Sequence, residues 1–303
     1  MTKLICLDNV YSTTRLLTSV KPVVEDKLEC KYQSALYLPK GKWARTEGGL
    51  RTQGYFKKSH LDKPLITIVT VVFNGVSCIE DSIRSVLHQS YDNLEYIIID
   101  GGSSDGTLDI VYKYQHAIDY WLSEKDDGIY DAMNKAIDLA LGDWIYFLGA
   151  DDILHNCTNR VSDYLDDSFL VMYGDVYMLK RHKLYTGKFS EYKLTYTNIC
   201  HQSIFYNKKA FYNQRFNLTY KLYADYALNI MIFNKNFFSY MPILIATYND
   251  FEGKSATGID SVFVTDYPKL LKEYLGIKYF IYYKIIKLLL NILNVLRIKG
   301  SIK

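Results

Sequence analysis

Apolar and polar positions alternate most regularly between residues 65 and 148. Residues 65–73 form an unbroken run rich in β-branched side chains, the pattern of a strand covered on both faces. Asn74-Gly75 ends it, and Ile79, Ile83, Val86 and Leu87 then recur at helical spacing within 77–88. Residues 94–99 predict a second buried strand, 108–114 a helix with Ser103 or Ser104 as its N-cap, and 118–122 a short strand. Residues 129–141 predict a helix stopped by Gly142, and 144–148 a further strand. Strands and helices alternating at this spacing give βαβ units and a mainly parallel sheet. Ligands of such sheets bind beyond the carboxyl ends of the strands, where Asn74, Asp100 and Asp151-Asp152 fall.

The pattern is weaker on either side. Residues 1–60 lack a clear period, and Glu47-Gly48-Gly49-Leu50-Arg51 with Gly54 reads as loop. After residue 152, two stretches (169–178 and 237–247) read as strands and 223–233 as a helix. Residues 277–299 carry a long apolar helical pattern with inserted lysines. Lys284, Lys287, Asn291 and Asn294 fall at 3-4-3 spacing on one stripe. A narrow polar stripe beside a wide apolar face suits a helix lying in a membrane interface, or one packing on the catalytic domain or on a second subunit.

Composition bounds the rest. A chain of 303 residues can form one large domain or two small ones. The net charge of +3 is unevenly spread: 11 Lys/Arg against 5 Asp/Glu in 1–60, 17 against 27 in 61–266, and 8 against 1 in 267–303. An acidic middle argues against a nucleic-acid groove through the core, and the basic end permits a membrane-facing tail. The 29 tyrosines suit stacking surfaces for rings and sugars. Five scattered cysteines without a CxxC pair support neither a zinc site nor a disulfide framework. No secretory apolar region and no stretch of ~20 apolar residues is found, so a cytoplasmic protein is expected.

The chemistry centres on Trp144-Ile145-Tyr146-Phe147-Leu148-Gly149-Ala150-Asp151-Asp152, an apolar run ending in two adjacent carboxylates. Neighbouring carboxylates repel and are costly to desolvate. A divalent cation resolves that conflict, since Mg²⁺ or Mn²⁺ is typically held by one or two carboxylates and substrate phosphate oxygens; a solvated Asp-Asp turn is the alternative. The glycine-rich loop 100–106 fails the dinucleotide fingerprint because position 103 is serine, and no Walker pattern occurs.

Four segments carry a resemblance: Ile68-Val69-Thr70-Val71-Val72-Phe73-Asn74-Gly75, Ile99-Asp100-Gly101-Gly102-Ser103-Ser104-Asp105-Gly106-Thr107, Ser123-Glu124-Lys125-Asp126-Asp127-Gly128-Ile129-Tyr130-Asp131-Ala132-Met133-Asn134-Lys135, and Gly149-Ala150-Asp151-Asp152. In this order they resemble glycosyltransferase family two over roughly residues 47–260. The resemblance implies an α/β chain of GT-A fold, Rossmann-like with a mainly parallel sheet, here followed by a C-terminal helical extension. It implies an inverting enzyme that uses Mn²⁺ or Mg²⁺ and a nucleotide-diphosphate sugar, with a UDP-sugar favoured. Asp100 is then expected to read the base, Phe73 and Asn74 to border the nucleotide, and Asp127 and Asn134 to lie near the donor. Relatives reading Asn-Ala-Gly-Asp at 149–152 make Asp152 the main metal ligand with Asp151 assisting; the wider Asp-x-Asp pattern favours Asp151.

Asp225 sits where the family places the base that deprotonates the acceptor hydroxyl, although an acid there also suits a helix N-terminus. His201 and Gln202 match a position near the acceptor, and Gly253-Lys254-Ser255 lies in a loop able to close over the donor. The expected organisation is an extension (1–60), a catalytic domain (61–266, with a nucleotide half 61–152 and an acceptor half 153–266) and a helical tail (267–303). The expected acceptor is a glycan or lipid-linked, and the expected location is cytoplasmic, with a peripheral place at the inner face of an anionic membrane. Two rivals stand beside this reading. A sugar nucleotidyltransferase would need a glycine-rich basic N-terminal loop, which is not found. A non-catalytic sugar-nucleotide-binding or assembly protein would bind donor without turnover.

Overall fold

A computed structural model describes residues 4–24, 34–233, 237–251 and 258–300, excepting the side chains of 291 and 293–300. The strands are β1 (Thr46–Gly48), β2 (Ile66–Val72), β3 (Leu94–Asp100), β4 (Tyr120–Ser123), β5 (Trp144–Gly149), β6 (Ile153–Leu154), β7 (Val171–Met178), β8 (Lys183–Tyr185), β9 (Ile204–Asn207) and β10 (Phe238–Tyr248). The helices are α1 (Ile79–Leu87), α2 (Thr107–Tyr114), α3 (Ile129–Leu139), α4 (Thr158–Ser162), α5 (Glu191–Leu194), α6 (Ala224–Ile232), α7 (Ser261–Leu270) and α8 (Ile277–Gly300).

Among the described residues the strands join one sheet in the order β1-β4-β3-β2-β5-β9-β7-β10-β6, with β8 on β7. The pairs β3–β4, β2–β3 and β2–β5 are parallel. They are joined through α1, α2 and α3, as the alternating pattern predicts. The chain builds β2, β3 and β4 outward, then returns to place β5 on the other side of β2. That reversal opens a crevice at the carboxyl ends of β2 and β5. Beyond β5 the sheet turns antiparallel through β9, and β7 pairs parallel with β10. β10 shifts register between Tyr240 and Ala246, a stretch that includes Pro242, which has no amide hydrogen to donate to a ladder.

β2, β3 and β5 read clearly in the sequence because both faces are covered: every residue of β3 is buried, and all but one of β2 and of β5. Three local expectations are corrected. Residues 46–53 are not loop: β1 pairs antiparallel with β4 at the sheet edge, and Leu50–Gln53 is a 3-10 turn. Two of the three β1 residues are exposed, so no apolar period marks it. Gly142 does not stop α3, which ends at Leu139 with Ala140 extended. A Cβ at Gly142 would instead meet Thr67 Oγ1 at 2.5 Å and the Leu65 carbonyl at 2.8 Å, so glycine serves a close backbone approach. Neither Ser103 nor Ser104 caps α2; the N-cap is Gly106, and Ser103 bonds to Asp100.

The N-terminal residues are laced onto the amino-end side of the sheet. Ile5 bridges Leu17, and Thr18 bridges Phe56. Arg51 and Glu95, each 1% exposed, form an ion pair at 2.6 Å. Arg51 Nη1 also donates to the carbonyls of Leu36 and Leu139, and Glu95 Oε2 accepts from Thr67 Oγ1 and the Leu141 amide. Nearby, burial pushes the Lys57 ammonium down to about 8 and the Asp119 carboxyl up to about 7. Buried charges persist only when paired and hydrogen-bonded, so the Arg51–Glu95 pair ties the described residues around Leu36 and Arg51 to the sheet.

Candidate functional site

The first wall of the crevice is a pair of clipped loops. At the end of β2, Asn74 takes a positive φ of 53°, a conformation that asparagine tolerates better than most residues. Its amide donates to Ser103 Oγ at 2.7 Å, and its Oδ1 accepts from the Ser104 amide at 3.0 Å. The Gly75 and Val76 amides donate to Thr107 Oγ1 and Asp105 Oδ2. The loop after β2 is thereby fixed to the loop after β3. Phe73, at the mouth, is 58% exposed, leaving an aromatic face open.

Asp100 ends β3 and is buried. Its carboxylate accepts from the amides of Gly102 and Ser103 and from the hydroxyls of Ser103 and Ser123. With four donors it braces the glycine-rich loop from inside. Asp127, expected near the donor, is exposed on the loop before α3, where its amide donates to Asp131. Its neighbour Asp126 is the half-buried one, and a Cβ at Gly101 would meet Asp126 Oδ2 at 2.7 Å. Burial raises the Asp126 carboxyl, aided by Asp131 and Asp100. Sequence reading could not separate these adjacent acids. Asn134 uses both ends of its amide on the Phe216 backbone, at 2.9 and 3.1 Å, so it holds the 216 loop in place.

The acid pair stands at the end of β5. Asp152 is 1% exposed. Its Oδ1 accepts from the Asn249 amide at 2.8 Å, while Oδ2 has no hydrogen-bond partner among the described residues. Burial, reinforced by the Asp151 charge, pushes this carboxyl up to about 7; the Asn249 amide and the Gln202 side chain oppose that rise. A Cβ on Gly149 would lie 2.3 Å from Asp152 Oδ2 and 3.2 Å from Asp151 Oδ1. Only glycine leaves room for the two carboxylates there. An orphaned buried oxygen with a second carboxylate beside it has the donor chemistry of a hard divalent cation, although among the described residues no group of three His, Cys, Asp or Glu side chains converges there. Asn249, which no motif singles out, is the residue that aims Asp152.

Asp225, in the first turn of α6, is held from two sides. Asn198 Nδ2 donates to its Oδ2 at 2.7 Å, and the Tyr130 hydroxyl lies 2.9 Å from its Oδ1. Burial, then the Asp225 charge, keeps Tyr130 protonated far above the usual phenol range. Sequence reading missed Tyr130 and Asn198; the third motif contains the tyrosine but gives no sign of a partner 95 residues away.

His201 stacks on Phe147 at 5.4 Å, with Phe216 and Tyr206 around it. Burial holds its imidazole below the usual range, hence neutral, and neither ring nitrogen has a hydrogen-bond partner among the described residues. Gln202 lies between Tyr146, whose hydroxyl donates to its carbonyl, and Asp152. Burial pushes the Cys200 thiol up to about 12, with added pressure from Asp152, Asp225 and Asp250. The three acids therefore share one neighbourhood. Gly253-Lys254-Ser255 lies outside the described residues.

Comparisons with known proteins agree with this architecture. The PGL/p-HBAD biosynthesis glycosyltransferase of Mycobacterium bovis is 35% identical over 227 residues, covering 71% of this chain and 88% of the relative. The putative teichuronic acid biosynthesis glycosyltransferase TuaG of Bacillus subtilis is 40% identical over 93 residues, 30% of this chain and 37% of TuaG. Among solved structures, S. aureus TarS 1–349 superposes with a TM-score of 0.54 at 16% identity, covering 69% of this chain and 66% of that one. The mannosyltransferase PcManGT of Pyrobaculum calidifontis, solved with GDP-Man and Mn²⁺, gives 0.53 at 17% identity, covering 64% and 59%. At such identities the superpositions establish the shared GT-A fold. The model of glycosyl transferase family 2 matches residues 67–237, and with the sequence relative above it shows that the chain belongs to that family and is a glycosyltransferase.

Proposed function

We propose that the protein is an inverting, metal-dependent glycosyltransferase that moves a sugar from a nucleotide-diphosphate donor to a glycan or lipid-linked acceptor on the cytoplasmic side of a membrane. The observation that carries this reading is the orphaned Oδ2 of Asp152 beside Asp151, packed against Gly149. Asp152, with Asp151 assisting, would hold Mn²⁺ or Mg²⁺. Bound there, the ion would supply Lewis-acid stabilisation of the leaving diphosphate. Phe73 offers its exposed ring to the base, and the Asp100-braced loop shapes the base pocket. A UDP-sugar is the favoured donor. Asp126 and Asp127 face the donor from the loop before α3, and Asn134 acts through the Phe216 loop. Asp225 Oδ takes the acceptor hydroxyl proton while that oxygen attacks the anomeric carbon from the face opposite the diphosphate. Tyr130 and Asn198 fix the carboxylate for that attack. His201 and Gln202 line the acceptor side. The catalytic domain is 61–266, divided near 152 into donor and acceptor halves.

A panel of nucleotide sugars with Mn²⁺, read by thermal shift and by release of nucleotide diphosphate, tests the reading. A donor at about 100 times its Kd should stabilise the fold by about 2.7 kcal/mol. Slow metal-dependent release of nucleotide diphosphate supports the transferase. Binding without release under any acceptor or metal condition would favour a carrier or assembly role, and release of pyrophosphate a nucleotidyltransferase.

A further inference from the structure

We infer that α8 docks the protein on an anionic lipid surface, lying along it rather than crossing it. The helix follows Gly276, whose φ of 104° ends the preceding turn. Its first turns are anchored: Tyr279 and Tyr282 each sit 5.0 Å from the Tyr192 ring of α5, and Tyr283 sits 5.2 Å from Tyr267 of α7. The other side is bare. Ile277, Ile281, Ile285, Leu288, Leu289 and Ile292 are each about half exposed. Their 4-4-3-1-3 spacing places them on one stripe of the helix. A contiguous exposed apolar stripe marks an interaction surface.

Charge selects the occupant. Ile277–Gly300 carries Lys278, Lys284, Lys287, Arg297 and Lys299 and no acidic residue. Lys284 and Lys287 border the stripe, and their ammonium groups rest over the rings of Phe280 and Tyr283. A second copy of this chain would bring five cations against five, with no carboxylate in either helix to pair them. Anionic headgroups match both the cations and the apolar stripe beside them. Among the described residues no helix is long and apolar enough to cross a membrane, which leaves interfacial binding.

The anchor has a consequence that rests on the glycosyl-transfer reading. α8 rests on Tyr192 of α5, and the chain runs on from α5 to Asn198, which holds Asp225. Docking through α8 keeps the catalytic domain at a lipid surface, and the acceptor class this favours is lipid-linked.

The full chain should co-sediment with phosphatidylglycerol-containing vesicles at low salt, and less at high salt or with pure phosphatidylcholine. Lys284→Gln/Lys287→Gln should weaken binding about twenty- to thirty-fold, near fivefold per cation. Ile281→Glu/Ile285→Glu/Leu288→Glu should abolish it, with an unchanged melting profile because these side chains are exposed. Donor hydrolysis without vesicles should be unaffected by either variant, which separates a failure of docking from a failure of the transferase reading. Indifference of the full chain to anionic vesicles, salt-insensitive binding, or a dimer in sedimentation velocity that the triple Glu variant dissolves would each overturn the proposal.

Discussion

Replacing Gly149 by alanine tests the proposed cation site without removing a functional group. Gly149 is not among the residues with positive φ, so alanine adds no backbone strain, only a methyl against the acid pair. That methyl would stand 2.3 Å from Asp152 Oδ2, where an ordinary contact begins near 3.4 Å. The carboxylate must retreat by about 1.1 Å, the difference of those two distances. Oδ1 moves with it and loses the 2.8 Å bond from the Asn249 amide. An unsatisfied buried group of this kind costs about 1–3 kcal/mol, which for a domain of this size lowers Tm by roughly 2–4 °C per kcal/mol. A misplacement of about 1 Å costs on the order of 10²-fold in rate. Loss of ligand orientation costs roughly 10–100-fold in metal affinity. Mn²⁺ titration followed by electron paramagnetic resonance, with nucleotide diphosphate present, reads the affinity; nucleotide release and a thermal melt read the other two quantities. The decisive comparison is a cycle with Asp152→Ala. Once the carboxylate is gone, the added methyl keeps only its 3.2 Å contact with Asp151 Oδ1 and should have little further effect. Gly149→Ala with wild-type Mn²⁺ affinity, or with an equal penalty in the Asp152→Ala background, would refute the reasoning.

Asp152→Ala should abolish turnover with the fold intact, and Asp151→Ala should be milder; the reverse ranking, measured with metal limiting, would make Asp151 the main ligand. Asp225→Asn should cost on the order of 10²–10⁴ in kcat with donor affinity nearly unchanged, and loss of donor binding at unchanged kcat would move Asp225 to the donor site. Arg51→Met leaves Glu95 buried without its partner and should cost about 3–5 kcal/mol in chemical denaturation; a cost below 1 kcal/mol would show the pair to be dispensable. Burial raises the folded-state pKa of Asp119 to about 7, above the ~3.9 of an unfolded chain. The native state therefore holds the extra proton between those values, and this group's contribution to stability falls as pH rises from about 4 to about 7. Asp119→Asn should flatten that part of the stability profile, and an unchanged slope would assign it to other groups.

β2, β3 and β5 were legible because they are covered on both faces and so read as plain apolar runs, each ended by a polar turn. β1 was not legible, since an edge strand of Thr46-Glu47-Gly48 buries too little to leave a period. The Arg51–Glu95 pair joins residues 44 apart, and no local pattern records such a distance. At the candidate site, the residue types proposed for chemistry stood out, whereas those that hold them in place did not. Asn249, Asn198 and Tyr130 are common residues whose meaning comes only from the partner that the fold brings to them. The choice between Asp126 and Asp127 likewise depends on which side chain turns inward.

The bond from the Asn249 amide to Asp152 crosses the line drawn near residue 152 between the two halves of the catalytic domain. β6, directly after Asp152, also pairs with the end of β10. The turn that carries the acid pair is therefore closed by a strand that arrives almost a hundred residues later in the chain. β6 and β10 both follow residue 152, so the support of that turn comes wholly from the second part of the chain. A crossover after residue 152 keeps β6 and β10 together, and the turn survives where the incoming segment again brings a backbone amide to Asp152. An exchange of acceptor specificity by grafting would have to carry both β6 and the end of β10, or replace the loops between them and leave that pairing untouched.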